Sequence, residues 1–303
     1  MSYFLTLVSS NKPLNQSLIG IAYDFLKRHS VSHEEEWYVL APDVAVDIAI
    51  TAELSKEQID VLRDELPACD VFLSHAQTRK KKAFLADMDS TIVASETLDD
   101  LAGFAGVGER VSAITNKSMR GEINFEESLT RRVALLEGMD AKHMQTILDQ
   151  TKFNPGAEET LVRLRQEKLY CVLISGGFTF YTSQIAKRAG FHEHHGNVLD
   201  IQNDILTGKL AAPILGPDTK LNIMREVMIQ KNLEADQILA VGDGANDRFM
   251  LGAAGLGGVG YYPKPLLQET LVNQIRFTDL TSLLYMQGLK ADGLSHDLDR
   301  VIA

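Results

Sequence analysis

Hydrophobic and polar positions change period along this chain in a way that divides it in two. Residues 1–74 read as strand ("YFLTLV"), helix ("LNQSLIGIAYDFLKRH"), two strands ("EWYVLA", "VAVDIAITA"), helix ("SKEQIDVLRDEL") and strand ("CDVFL"). Leu18, Ile21, Ala22 and Phe25 fall on one face of a helix, and the strands are β-branched and aromatic runs. The charged stretch "AQTRKKK" (76–82) reads as a solvated linker, which sets domains at 1–76 and 77–303.

From residue 83 the runs "AFLAD", "YCVLIS", "QILAVGD" and "GLGGVGY" alternate with helical stretches, as in a parallel sheet covered on both faces. Residues 96–150 read as helices only, more than one crossover needs, and are expected to lie over the sheet as a helical insertion. "NVLDIQNDILTGKL" alternates around Asn203-Asp204 as a hairpin would. The β-α-β-β-α-β order of the first unit is that of the ferredoxin-like split motif. The tail "KADGLSHDLDRVIA" is polar and reads as a disordered or docking segment.

Composition narrows the partners. With 303 residues and 45% hydrophobic content, two domains can each bury a core. A formal charge of -11, with no long Lys or Arg run, excludes tracking of a nucleic-acid backbone. The first residues lack a basic leader with an apolar core, and nothing approaches the roughly 20 apolar residues that span a bilayer, so a cytoplasmic protein with no membrane partner is expected. Cys69 and Cys171 sit in apolar runs and read as reduced core thiols.

The candidate chemistry lies at three strand ends, where open α/β sheets bind ligands. They read "FLADMDST", "VLISGG" and "LAVGDGAND". Asp87 and Asp89, two apart in extended chain, can address one substrate. Capping by Asp, Ser and Thr is the structural alternative, and a calcium loop fails on Thr91 and Ile92. Paired carboxylates need a cation nearby or a proton on one of them, and Asp243, between Gly242 and Gly244, would complete a hard-oxygen set suited to Mg2+. Ser175 and the N–H groups of "SGGF", at the entry of a helix, offer an anion site or a plain glycine turn. Lys220, in the first turn of a helix starting at Asp218, opposes the helix dipole, a local cost that marks either a functional group or one of the many exposed lysines that break this rule harmlessly. On the helix starting near Asn124, Phe125, Leu129, Val133 and Leu136 form the apolar stripe and Arg132 falls inside it, which demands an anion from a cap glutamate or from a ligand. Gly255-x-Gly257-x-x-Gly260 is a formal dinucleotide fingerprint, set aside because no helix opens on its third glycine.

"DMDST", "SGG", Lys220 and "GDGAND" together resemble the four motifs of the haloacid-dehalogenase-like phosphatases, in order over 87–247. "DMDSTIVASET", "GEINFEESLTRRVALLEG" and "SGGFTFY" are similar to the phosphoserine phosphatase branch, over nearly all of 83–288, and the first unit resembles an ACT-like domain. The implied fold class is α/β, a Rossmann-like parallel sheet core with a helical cap insertion, preceded by a small α+β ferredoxin-like domain. The implied activity is hydrolysis of O-phospho-L-serine, closing serine biosynthesis, with Mg2+ held by Asp87, the backbone carbonyl of Asp89 and Asp243. Asp87 is then the nucleophile and Asp89 the proton carrier, while Lys220, Ser175 and Gly176 hold phosphate oxygens. Glu96 meets the substrate ammonium and Arg132 its carboxylate, Met119 and Phe125 lie over the amino acid, Asn246 touches substrate and Asp247 orients the metal shell. Arg248 departs from the pattern, where a smaller or apolar residue is expected. The resemblance leaves a homodimer through the N-terminal unit open.

Overall fold

The computed structural model describes residues 2–10, 13–119 and 122–291. The tail from 292 onward lies outside the described residues. The N-terminal unit runs β1 (Tyr3–Ser9), α1 (Gln16–Arg28), β2 (Tyr38–Ala41), β3 (Ala45–Ile50), α2 (Lys56–Glu65) and β4 (Cys69–His75). Its strands are antiparallel in the order β2-β3-β1-β4, the split arrangement that the pattern predicts. Both helices begin on side-chain caps: Asn15 accepts from the Leu18 N–H, and Ser55 with Gln58 closes a capping box. Alternate strand residues such as Leu5, Leu7, Ile48 and Val71 pack in one core with Phe25 and Leu62 of the helices.

The other face of this sheet corrects the linker expectation. It carries Thr6, Asp47 and Asp70, polar enough to face water, yet all three are buried. Asp47 accepts from Thr6 Oγ1 at 2.6 Å and pairs with Arg79 at 2.8 Å. Arg79 also donates to the carbonyls of Tyr285 and Met286, and Lys81 Nζ donates to the Asp236 carbonyl. Arg79 and Lys81, read as solvated, are 9% and 7% exposed. A cation leaves water only where anions or carbonyls replace its hydration; for Arg79 the two units supply these jointly, and for Lys81 the second unit supplies the carbonyl.

The second unit opens with β5 (Ala83–Ala86) and then four cap helices, α3 (Thr97–Phe104), α4 (Gly108–Met119), α5 (Phe125–Ala134) and α6 (Lys142–Gln150). The core resumes with α7 (Ala157–Gln166), β6 (Tyr170–Phe178), α8 (Thr179–Ala189) and β7 (Glu193–Asn197), followed by a hairpin of β8 (Leu199–Gln202) and β9 (Ile205–Leu210). Then come α9 (Pro217–Lys231), β10 (Ile238–Gly242), α10 (Arg248–Ala253), β11 (Gly258–Tyr261), α11 (Pro265–Thr270), β12 (Asn273–Ile275) and α12 (Ser282–Met286). Six parallel strands lie in the order β12-β11-β10-β5-β6-β7. The chain enters at β5, moves outward through β6 and β7, and returns to β10 on the other side of β5. That reversal opens a crevice at the carboxyl ends of β5 and β10.

The hairpin turns through Asn203 and Asp204, both at positive φ (51° and 62°), as a type I′ turn needs. It buttresses the cap: the Gly138 N–H donates to the Leu206 carbonyl and the Ala141 N–H to that of Asp204. The two units meet where β4 faces β12. The Asn273 amide accepts from the Leu73 N–H at 2.8 Å and donates to the Leu73 carbonyl at 2.9 Å, taking the place of a strand partner. Among the described residues no helix is long and apolar enough to cross a membrane.

Candidate active site

β5 is four buried apolar residues, and Asp87 is the first side chain past its end, its N–H still donating to Val241 of β10 at 3.0 Å. Asp243 holds the equivalent place after β10. Asp87 Oδ1 accepts from the Met88 N–H at 2.9 Å and lies 2.6 Å from Lys220 Nζ. Lys220 reaches Asp247 Oδ1 at the same distance, 2.6 Å. Helix α9 starts at Pro217, one residue before the expected Asp218, and Lys220 remains in its first turn. The two carboxylates supply what the helix dipole withholds, so a 4% exposed ammonium is stable there.

Asp87, Asp243 and Asp247 each place one carboxylate oxygen within 4.8 Å of the others. Three buried carboxylates this close, with one lysine between two of them, form a hard-oxygen set that fits a divalent cation. Gly242 is required here, because a methyl on it would stand 2.3 Å from Asp247 Cγ. Asp89 turns its carboxylate away from the cluster and accepts from the Thr97 N–H and from Ser175 Oγ, both at 3.0 Å. The sequence reading gives Asp247 only an orienting part, yet its carboxylate is an equal member of the group.

Burial, with Asp247 and Asp243 nearby, pushes Asp87 well above the usual carboxylate range, against the pull of Lys220. Burial also raises Asp89, opposed by its bonds to Thr97 and Ser175. Burial works against the charge on Lys220, but Asp247 and Asp87 outweigh it and hold the ammonium more firmly than in a free lysine.

β6 runs on to Phe178 with a break in register after Ile174, so Ser175, Gly176 and Gly177 form an irregular strand end that leads directly into α8, whose N-cap is Phe178. The Gly177 N–H donates to Ser175 Oγ at 2.8 Å, and the Gly176 carbonyl accepts from Asn197. Glu96 is the N-cap of α3, makes no capping bond, and accepts from Ser90 Oγ at 2.7 Å. Burial and Asp89 raise its pKa.

The cap closes over these strand ends to leave a cavity of about 630 Å³. Asp87, Asp89, Gly176, Asp243 and Asn246 form its floor, with Glu96, Phe125 and Arg132 above. Lys220 and Ser175 lie behind that floor and act on it through Asp87 and Asp89. Met119 ends α4, and its side chain lies outside the described residues. Leu129, Val133 and Leu136 are buried as the stripe predicts, although α5 itself ends at Ala134, whereas Arg132 is half-buried beside them and opens onto the cavity. Among the described residues no carboxylate pairs directly with Arg132. Its guanidinium reaches the Ser128 carbonyl at 3.4 Å, and burial lowers its pKa against the more distant Asp99 and Glu96.

Lys264, which the sequence reading passes over, joins the site from a fourth strand end. Its Nζ is 2.8 Å from Asp243 Oδ2 and 4.0 Å from Glu96 Oε1. The only signal is its place in "YYPKP", just after a core strand. Arg248, noted as a departure, also lines the cavity.

The family model of haloacid dehalogenase-like hydrolases matches residues 84–252, which take in all three predicted strand ends. The chain belongs to the haloacid dehalogenase-like hydrolases. Within this family it is similar to a probable phosphoserine phosphatase of Schizosaccharomyces pombe, 32% identical over 286 residues that cover 93% of this chain and 94% of that protein. A phosphoserine phosphatase of Archaeoglobus fulgidus is 36% identical over 214 residues, 71% of this chain. The chain spans 62% of the length of that relative. Among solved structures, a probable phosphoserine phosphatase from Vibrio cholerae in unliganded form superposes with a TM-score of 0.75 at 25% identity, over 95% of this hydrolase and 87% of that chain.

Proposed function

We propose that this hydrolase is a phosphoserine phosphatase, converting O-phospho-L-serine to L-serine and phosphate through an aspartyl-phosphate on Asp87, the reaction that closes serine biosynthesis. The observation that carries this is Asp87 at a strand end, 2.6 Å from a buried lysine, beside two more carboxylates and under a cavity whose far wall holds an arginine that has no direct carboxylate partner among the described residues. The names of the relatives point the same way.

Both bonds to Asp87 fall on Oδ1, which leaves Oδ2 to attack phosphorus. As the Oδ2–P bond forms, the bond from phosphorus to the serine oxygen breaks, and Asp89 gives its proton to the departing alkoxide. Burial keeps Asp89 protonated at a higher pH than an ordinary aspartic acid, as a donor requires. Asp89 then takes a proton from the water that attacks phosphorus, and cleavage of the acyl phosphate frees Asp87. Mg2+ held by Asp87, the Asp89 carbonyl and Asp243, with Asp247 beside them, would offset the repulsion between carboxylate and phosphate. Arg132 receives the substrate carboxylate and Glu96 its ammonium, with Phe125 over the amino acid.

The same reading takes residues 1–76 as an ACT-like unit and 77–303 as the phosphatase domain, capped over about 96–150. A second copy is the natural macromolecular partner, through the exposed edge of β2, where Tyr38 and Val39 are 48% and 47% exposed. Buried, unpaired Cys69 and Cys171 suit a reducing cytoplasm.

Purified protein given O-phospho-L-serine and Mg2+ should release phosphate, and excess chelator should stop it. Phosphothreonine and sugar phosphates should turn over far more slowly. Sugar phosphates hydrolysed as well as phosphoserine would refute the assignment of Arg132 and Glu96.

A further inference from the structure

We propose that Lys264 is a positioning residue that sets how tightly the carboxylate cluster holds its divalent cation. The inference rests on the reading of Asp87 and Asp243 as metal ligands. Lys264 grips Asp243 twice: its backbone N–H donates to the Asp243 carbonyl at 2.9 Å, and its Nζ contacts Oδ2 at 2.8 Å. The first contact survives any substitution other than proline, while the second depends on the side chain.

The charges are divided between two lysines. Lys220 serves Asp87 and Asp247 from the buried side, and Lys264, with its side chain 48% exposed, serves Asp243 from the cavity side. Lys264 is also the N-cap of α11, a position where the helix dipole disfavours a cation. The acidic groups in front of it, Asp243 in contact and Glu96 at 4.0 Å, with Asp87 further off, make that placement favourable.

An ammonium bonded to one oxygen of a ligating carboxylate has two effects. It fixes the carboxylate so that the other oxygen is presented to a metal, and its charge repels the dication and competes for the same ligand. A site built this way binds its cation in the right geometry but below the affinity that the carboxylates alone would give. A lysine that merely props up the loop predicts the opposite, because its loss would disorder Asp243 and weaken binding.

The test is titration calorimetry of Mg2+ into the chelator-treated full chain, for wild type, Lys264→Met and Lys264→Arg. The dissociation constant of Lys264→Met should fall about tenfold, as expected for removing one unit charge near a dication in a wet site. Lys264→Arg, which keeps the charge, should stay within about threefold of wild type. Unchanged or weaker binding in Lys264→Met overturns the inference while leaving the phosphatase reading intact. Wild-type protein that takes up no Mg2+ overturns the metal reading, and this inference with it. Phosphoserine turnover, measured separately on wild type, decides the substrate independently of either result.

Discussion

Asp87 and Asp89 share a strand end and a composition, yet their surroundings give them opposite work. Asp87 is bonded to an ammonium and a backbone N–H; Asp89 accepts from a hydroxyl and a backbone N–H, with no cation in contact among the described residues. Removing the proton donor should therefore matter only when the leaving group needs a proton. Asp89→Asn is expected to lose about 10²–10⁴-fold in kcat/KM with phosphoserine and much less with p-nitrophenyl phosphate, whose phenolate departs unaided. Equal losses on both substrates would remove Asp89 from the acid role. The carboxylates were legible because a charged side chain ending an apolar strand is locally anomalous. Lys264 was not, since nothing in "YYPKP" separates it from an exposed lysine, and its meaning comes from Asp243 some twenty residues away.

Elements place these groups, and the tightest placement is the turn after β10. With a methyl at residue 242 standing 2.3 Å from Asp247 Cγ, Gly242→Ala must push Asp247 off Lys220. We expect about 2 kcal/mol of lost stability in urea titration and a fall of at least about 100-fold in activity, because Asp87 would face an altered charge pattern. An active, undiminished Gly242→Ala would show that the Lys220–Asp247 bond is incidental. Strands with continuous apolar runs, and the hairpin with its Asn203-Asp204 turn, could be read from the sequence. The edges could not: β7 is "EHHGN", half-exposed and without an apolar run, and β12 has only three residues. The irregular end of β6 was also hidden, since "SGGF" suits a helix entry as well as a broken strand.

At the scale of the whole molecule, the two units form one buried joint, and charge in the sequence misled where the polar face of one unit meets the other. Arg79→Ala should cost about 3 kcal/mol in urea unfolding, because Asp47 would keep only Thr6 as a partner in the interior. Lys81, two residues on from Arg79 and bonded within the second unit, adds a pH signature. Burial brings its pKa down to about 8, against an ordinary lysine near 10.5. Below about pH 8 both folded and unfolded states hold the proton, and the cost of the buried charge is fully present. Between about 8 and 10.5 the unfolded chain binds more protons, so this group makes the fold more stable as pH rises. The stability advantage of Lys81→Met over wild type should accordingly shrink by about 2–3 kcal/mol from pH 7 to pH 10. A constant difference would mean that Lys81 is not desolvated.

The most direct test of the central claim is acid quenching of the enzyme during turnover of phosphoserine carrying radiolabelled phosphate, followed by peptide mapping. Transient label on the peptide that contains Asp87, absent in Asp87→Asn, is the expected result. Label on another residue, or full turnover by Asp87→Asn, would contradict it.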